Sequence, residues 1–197
     1  PEAELVEDLV DKARFQVLAE RLRLPVPRTR RIDFSVGAPD TGPSDIDLRF
    51  PIIVKPLTRY VAWGAIGGAG KALRVESPGE LQALWPDLIA GGMDLLAQEM
   101  IPGPETRIES YHCYVDGGGS VVGEYTGRKI RTYPEALGHS TALTITDEAD
   151  VRTLGREMVD KLALTGVAKF DFKRAPDGTL HLLEVNPRFN LWHYVGA

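Results

Sequence analysis

The chain has 197 residues, 43% hydrophobic and 26% charged, with a formal net charge of -5. This length supports one large domain or two small lobes, and the acidic balance argues against nucleic acid or an anionic membrane as partner. A single cysteine, Cys113, excludes an intrachain disulfide framework; with no bilayer-length apolar run and no signal peptide, the expectation is a cytoplasmic protein.

Residues 3–23, AELVEDLVDKARFQVLAERLR, carry Leu5, Leu9, Val10, Ala13, Val17, Leu18 and Leu22 at helical spacing, which predicts one helix ended by the prolines of LPVPRT. Residues 34–50 read as a loop. FPIIVKP (50–56) reads as a short buried strand interrupted by Lys55, 57–70 as a glycine-rich loop, and KALRVES (71–77) as a strand. SPGELQALWPDLIA (77–90) predicts a helix with Ser77 as N-cap and Pro78 at its first position. DLLAQEMI (94–101) is a strand ended by PGPE.

TRIESYHCYVD and SVVGEYTGRKI alternate as strands around DGGG (116–119), with Cys113 read as a small core residue. TDEADVRTLGREMVDKLAL (146–164) predicts a helix capped by Thr146 or Asp147, and VAKFDFKR with TLHLLEVN a hairpin around APDG (175–178). The order predicts an α+β architecture: an N-terminal helix (1–25), a small lobe (26–98) and a larger antiparallel lobe (99–197).

The stretch HLLEVNPRFN (181–190) places Glu184 and Asn186 on one strand face and Leu183 and Val185 on the other. A loop of 175–178 sets Arg174 opposite Thr179, Asp171 opposite Leu182 and Lys169 opposite Glu184. Asp171, Glu184 and Asn186 then share a face, with Asp171 diagonal to Glu184 at roughly 7–8 Å between Cα atoms. Two carboxylates and an amide oxygen suit magnesium and fill only part of its shell, so a nucleotide phosphate is expected to complete it. The alternative is an edge strand with polar residues facing water.

Lys55 inside an apolar strand suggests a buried anion partner, or a side chain that snorkels. GAIGGAGK fails the phosphate-loop pattern, which needs Gly at 65 and Ser or Thr at 72; it remains a candidate flap, or a solvent loop. With period two, Lys129 and Arg131 share a face and could clamp a phosphate or carboxylate, or simply protect an exposed edge. Histidines 112, 139, 181 and 193 lack ligand spacing and are read as structural. QEMIPGPE (98–105) runs a strand into a Pro-Gly hinge and a glutamate, where backbone could pair with a base and a carboxylate with a ribose.

From VDKARFQVLAERLRLPVPRT through FPIIVKP, GGAGKALRV, QEMIPGPE, GRKIRTYP and KFDFKR to LLEVNPRFN, the chain resembles the ATP-grasp superfamily, in particular carboxylate–amine ligases of the biotin carboxylase and D-alanine ligase type. The resemblance implies two α+β lobes holding ATP between antiparallel sheets. It implies phosphate contacts from Lys12, Lys55, Lys71 and Lys129, an adenine hinge at Gln98, Glu99 and Ile101, and Glu105 on the ribose. Asp171, Glu184 and Asn186 match magnesium ligands, with Glu184 bridging two ions and Mn2+ able to substitute. Arg188 matches the arginine that holds the acceptor carboxylate, and Lys169, Lys173 and Arg131 are candidates for the same pocket. Small carboxylate and amine partners follow, a homodimer is compatible, and a further N-terminal domain is expected to precede the grasp fold. An ATP-binding regulatory or scaffold module without ligase chemistry, or a phosphotransferase, are the alternatives on the same fold.

Overall fold

The computed structural model describes residues 1–34, 42–57, 63–67, 72–133 and 139–195. Its elements in chain order are α1 (Ala3–Val10), α2 (Lys12–Leu22), β1 (Thr29–Ile32), β2 (Ile52–Pro56), α3 (Trp63–Gly67), β3 (Leu73–Val75), α4 (Pro78–Gly91) and β4 (Leu95–Glu99). There follow β5 (Ile108–Val115), β6 (Val121–Tyr133), β7 (His139–Thr146), α5 (Ala149–Leu162), β8 (Gly166–Arg174), β9 (Leu180–Asn186) and α6 (Leu191–Val195). Two compact units result, one of residues 27–100 and one joining residues 1–26 to the chain from Ile101 onward. Among the described residues, no helix is long and apolar enough to cross a membrane.

The unit of residues 27–100 is built on an antiparallel sheet of order β1-β4-β2-β3. Alternation along β2 sends Ile52 and Val54 into a core with Ile32, Leu95 and Ala97, which Leu81, Trp85 and Leu88 of α4 cover. Lys55 falls on the other side of the alternation and is half-buried. Ser77 caps α4 by accepting from Glu80 N at 3.2 Å, with Pro78 opening the helix, as the sequence predicts. The glycine-rich stretch expected to be all loop contains the short helix α3, and β1 was not legible in the proline-flanked segment.

The other unit holds an antiparallel sheet of order β7-β6-β5-β8-β9. Tyr111, Cys113 and Val115 of β5, Phe170 and Phe172 of β8 and Val185 of β9 pack against Leu9, Phe15, Leu18 and Ala19 of the N-terminal helices and Met158 of α5. Cys113 is 3% exposed in this core, and burial pushes its thiol up to about 12. The opposite face carries Ser110, His112, Lys169, Asp171 and Lys173, because successive strand side chains alternate. The single helix expected over 3–23 is two: Asp11 breaks it and caps α2, accepting from Ala13 N at 2.9 Å and Arg14 N at 2.8 Å. The helix expected from Thr146 starts at Ala149 with no side-chain cap, because Thr146 ends the unanticipated strand β7.

The β8–β9 hairpin corrects the expected register. Ala175 N donates to Thr179 O at 2.8 Å and Gly178 N to Ala175 O at 3.0 Å, so the loop is Pro176–Gly178, closed by Gly178 at φ 92°. Arg174 therefore pairs with Leu180 rather than Thr179. That one-residue slip alone would send Glu184 and Asn186 to the helix-covered face. A bulge restores them: Phe172 pairs with Leu182 and Asp171 with Glu184, leaving Leu183 as the extra residue. Asp171 thus faces Glu184 directly rather than diagonally, and Lys169 faces Asn186 rather than Glu184.

Candidate functional site

The acidic side chains meet on the polar face of the five-stranded sheet. Lys169 and Asp171, two apart on β8, share that face, and Lys169 Nζ lies 2.6 Å from Asp171 Oδ2. Asp171 Oδ1 is buried and has no hydrogen-bond partner among the described residues. Burial pushes the Asp171 carboxyl up to about 6, against the pull of Lys169.

Glu184 is exposed on this face, with Asp171, Lys169 and Asn186 acting on its carboxylate. Burial alone would raise its pKa, but proton sharing with Asp171, the Lys169 ammonium and the Asn186 amide outweigh that, so it lies below the usual carboxylate range. Asn186 Nδ2 donates to Glu184 Oε1 at 3.1 Å, and Arg188 Nη2 reaches Asn186 Oδ1 at 3.4 Å. Asp171 and Glu184 thus set two carboxyl groups opposite each other on neighbouring strands. Such a pair accommodates either a proton or a hard cation. Among the described residues no group of three or more His, Cys, Asp or Glu is placed to hold a metal. The protein's share of a cation shell would be two carboxylates and one amide, with the remaining positions left to water or ligand oxygens.

The basic residues separate. Lys129 is half-buried, and its charge lowers the pKa of both Asp171 and Glu184. Arg131 does not share its face: register irregularities flank Arg131, and the two pair with Leu143 and Ala142, neighbours on β7 that point oppositely. Arg131 Nε donates to Thr141 Oγ1 at 3.1 Å in an exposed position. Arg188 is exposed just beyond β9. Lys173 donates to Pro104 O at 2.7 Å and lies 3.5 Å from Glu105 Oε1, fixing the short 3-10 turn Glu105–Arg107. Burial lowers the Lys173 pKa, and Glu105 opposes this. Ile101 is buried, and Lys12 is the first residue of α2.

In the unit of residues 27–100, Lys55 Nζ donates to Gln98 Oε1 at 3.1 Å, and Gln98 Nε2 donates to Thr29 Oγ1 at 2.9 Å. The Glu99 carboxylate is held by Arg28 at 3.4 Å and by Arg49 N at 3.0 Å. Its backbone N–H already donates to Arg28 O at 2.9 Å. Lys71 and residues 68–70 of the glycine-rich flap candidate lie outside the described residues.

Trp192 on α6 was not anticipated. Its ring lies 5.1 Å from Lys169 Nζ and 5.3 Å from the His112 ring, and Tyr125 Oη donates to its carbonyl at 2.6 Å. His112 is fully buried, stacks on Tyr125 at 4.3 Å and is held neutral, burial pushing it down to about 2. A lone tryptophan six residues beyond Asn186 carries no spacing signal that could have placed it on this face.

No protein-family model matches the chain. Over 190 residues it is 24% identical to D-aspartate ligase of Enterococcus faecium, covering 93% of this chain and 45% of that protein. Over 189 residues it is 26% identical to D-alanine–D-alanine ligase of Neisseria meningitidis, covering 90% of this chain and 57% of that one. The crystal structure of an L-amino acid ligase from Bacillus licheniformis superposes with a TM-score of 0.65 at 18% identity, over 98% of this chain and 44% of that one. The chain spans about half the length of the curated relatives it matches. Its fold is the ATP-grasp fold.

Proposed function

We propose that this ATP-grasp chain is the nucleotide- and metal-binding part of a cytoplasmic ATP-dependent ligase that joins a small carboxylate to an amine. The observation that carries this reading is the opposed pair Asp171 and Glu184, with one buried oxygen lacking a partner among the described residues. Relatives named as D-aspartate and D-alanine–D-alanine ligases support the bond class.

Asp171, Glu184 and Asn186 would hold magnesium, two ions with Glu184 common to both and Mn2+ as a substitute, and the ions would offset charge on phosphate oxygens. Lys129 extends the positive field on the same sheet face, and Lys12 is assigned to phosphate contact. Glu105, fixed by Lys173, is assigned to the ribose. In the unit of residues 27–100, Lys55 and Lys71 are assigned to phosphates. Gln98, Glu99 and Ile101 are assigned to adenine; the Glu99 N–H is committed to Arg28, so its contribution falls to the carbonyl.

A carboxylate oriented by Arg188 attacks the γ-phosphorus of ATP, giving an acyl phosphate and ADP. The amine adds to the acyl carbon, forming the C–N bond; its nitrogen gives up a proton to solvent or to the departing phosphate, and the tetrahedral oxyanion collapses with expulsion of phosphate. No side-chain nucleophile is needed; positioning and electrostatics carry the rate. Arg131, turned off the face of Lys129 by the register irregularity and tied to Thr141 in an exposed position, is left out of the acceptor site.

The test is a thermal shift with a nonhydrolysable ATP analogue, with and without Mg2+, followed by ADP release from ATP with panels of acids and amines. A ligand at about 100 times its dissociation constant adds ~2.7 kcal/mol of stability. The expected result is a Mg2+-dependent shift and acid-dependent ADP release that rises with amine. A shift without ADP release under any pairing would identify a binding module instead. No shift would overturn the reading for this chain.

A further inference from the structure

Lys169, Asp171 and Trp192 form a chain of contacts on the polar sheet face. The Lys169 ammonium lies 2.6 Å from Asp171 Oδ2, with the two side chains 9% and 4% exposed. It also lies 5.1 Å from the centroid of the Trp192 ring, within the range where an aromatic face attracts a cation. Asp171 Oδ1, by contrast, is buried with no partner among the described residues. The two oxygens of one carboxylate are therefore in different states, one taken and one open.

An ammonium on one carboxylate oxygen occupies a lone pair and repels a cation there, so the other oxygen is the preferred ligand and chelation by both is disfavoured. Magnesium is small and near-octahedral and accepts single oxygens, whereas calcium takes about six to eight and readily uses both oxygens of a carboxylate. Resting on the reading of Asp171 as a cation ligand, we propose that Lys169 is a positioning residue that sets metal selectivity. By holding Oδ2 it limits Asp171 to one-oxygen ligation and favours Mg2+ over Ca2+. Trp192 holds the ammonium in that position.

In the test, Mn2+ is bound to the chain at a fixed concentration of a nonhydrolysable ATP analogue, free Mn2+ is followed by electron paramagnetic resonance, and Mg2+ or Ca2+ displaces it. The competitors carry equal charge, so removing the lysine's charge acts alike on both and cancels in the ratio of their affinities. Lys169→Met is expected to lower the Mg2+ over Ca2+ preference by about tenfold. Lys169→Arg, whose guanidinium can still hold Oδ2, should keep it. Trp192→Ala should lower it less, and Trp192→Phe, which retains an aromatic face, should stay near the parent. An unchanged ratio in Lys169→Met, or in Trp192→Ala should the lysine variant fail to fold, overturns this proposal and leaves the metal reading standing. Absence of Mn2+ binding in the parent chain, or full binding in Asp171→Asn, overturns both.

Discussion

Asp171 and Glu184 stand directly opposite each other on β8 and β9, with Leu183 bulged out between the pairs on either side. The bulge absorbs one residue that the Pro176–Gly178 loop leaves out of phase. Deleting Leu183 would place Glu184 immediately after Leu182, still opposite Asp171, in an unbroken ladder. Such a deletion is expected to retain the Mg2+-dependent nucleotide shift; its loss would mean that the twist of the bulge itself aims the carboxylate.

Glu184→Gln removes one charge while conserving size. It should abolish the Mg2+-dependent part of nucleotide binding and leave the circular dichroism spectrum and urea midpoint near the parent values. Retained Mg2+ dependence would remove Glu184 from the metal site.

The Asp171 carboxyl, pushed up to about 6 by burial, sets a pH dependence. Below that value it carries a proton that a cation must displace, so apparent Mg2+ affinity should fall by about tenfold for each further pH unit. Above it the carboxylate is ionised and affinity should level off. Isothermal titration between pH 5 and pH 8 checks the sign; affinity that rises on acidification contradicts the assignment.

Gly155 on α5 packs against Tyr111 of β5 so closely that a Cβ there would overlap the ring. Tyr111 is fully buried and cannot retreat without disturbing Phe170, 5.9 Å away between ring centroids. Gly155→Ala should therefore destabilise the fold by about 1–3 kcal/mol in urea unfolding, despite the better helix propensity of alanine.

Much of the fold followed from local pattern. Ser77 and Pro78 announce α4, and the alternation of KFDFKR separates Phe170 and Phe172 from Asp171. The shared face of Asp171, Glu184 and Asn186 was legible too, although its register was not. The parity of a hairpin depends on loop length and bulges, and Gly178 and Leu183 signal those only after backbone geometry is known. Lys129 and Arg131 show the opposite outcome, where a bulge invalidated the simple alternation. Strands β1 and β7 were missed because the proline-flanked TRRI and polar HSTALTIT offer little apolar periodicity to read. Trp192 reaches Lys169 through tertiary packing, which spacing along the chain does not encode.

The burial of Cys113 has a practical consequence for spectroscopy. The chain's sole thiol is enclosed beneath α-helices, and its ionised form is suppressed near neutral pH. A cysteine introduced at an exposed position such as Asp160 on α5 would present the one readily alkylated sulfur. Site-specific attachment of a fluorophore or spin label then needs no prior replacement of the native residue, and the hydrophobic core stays as it is.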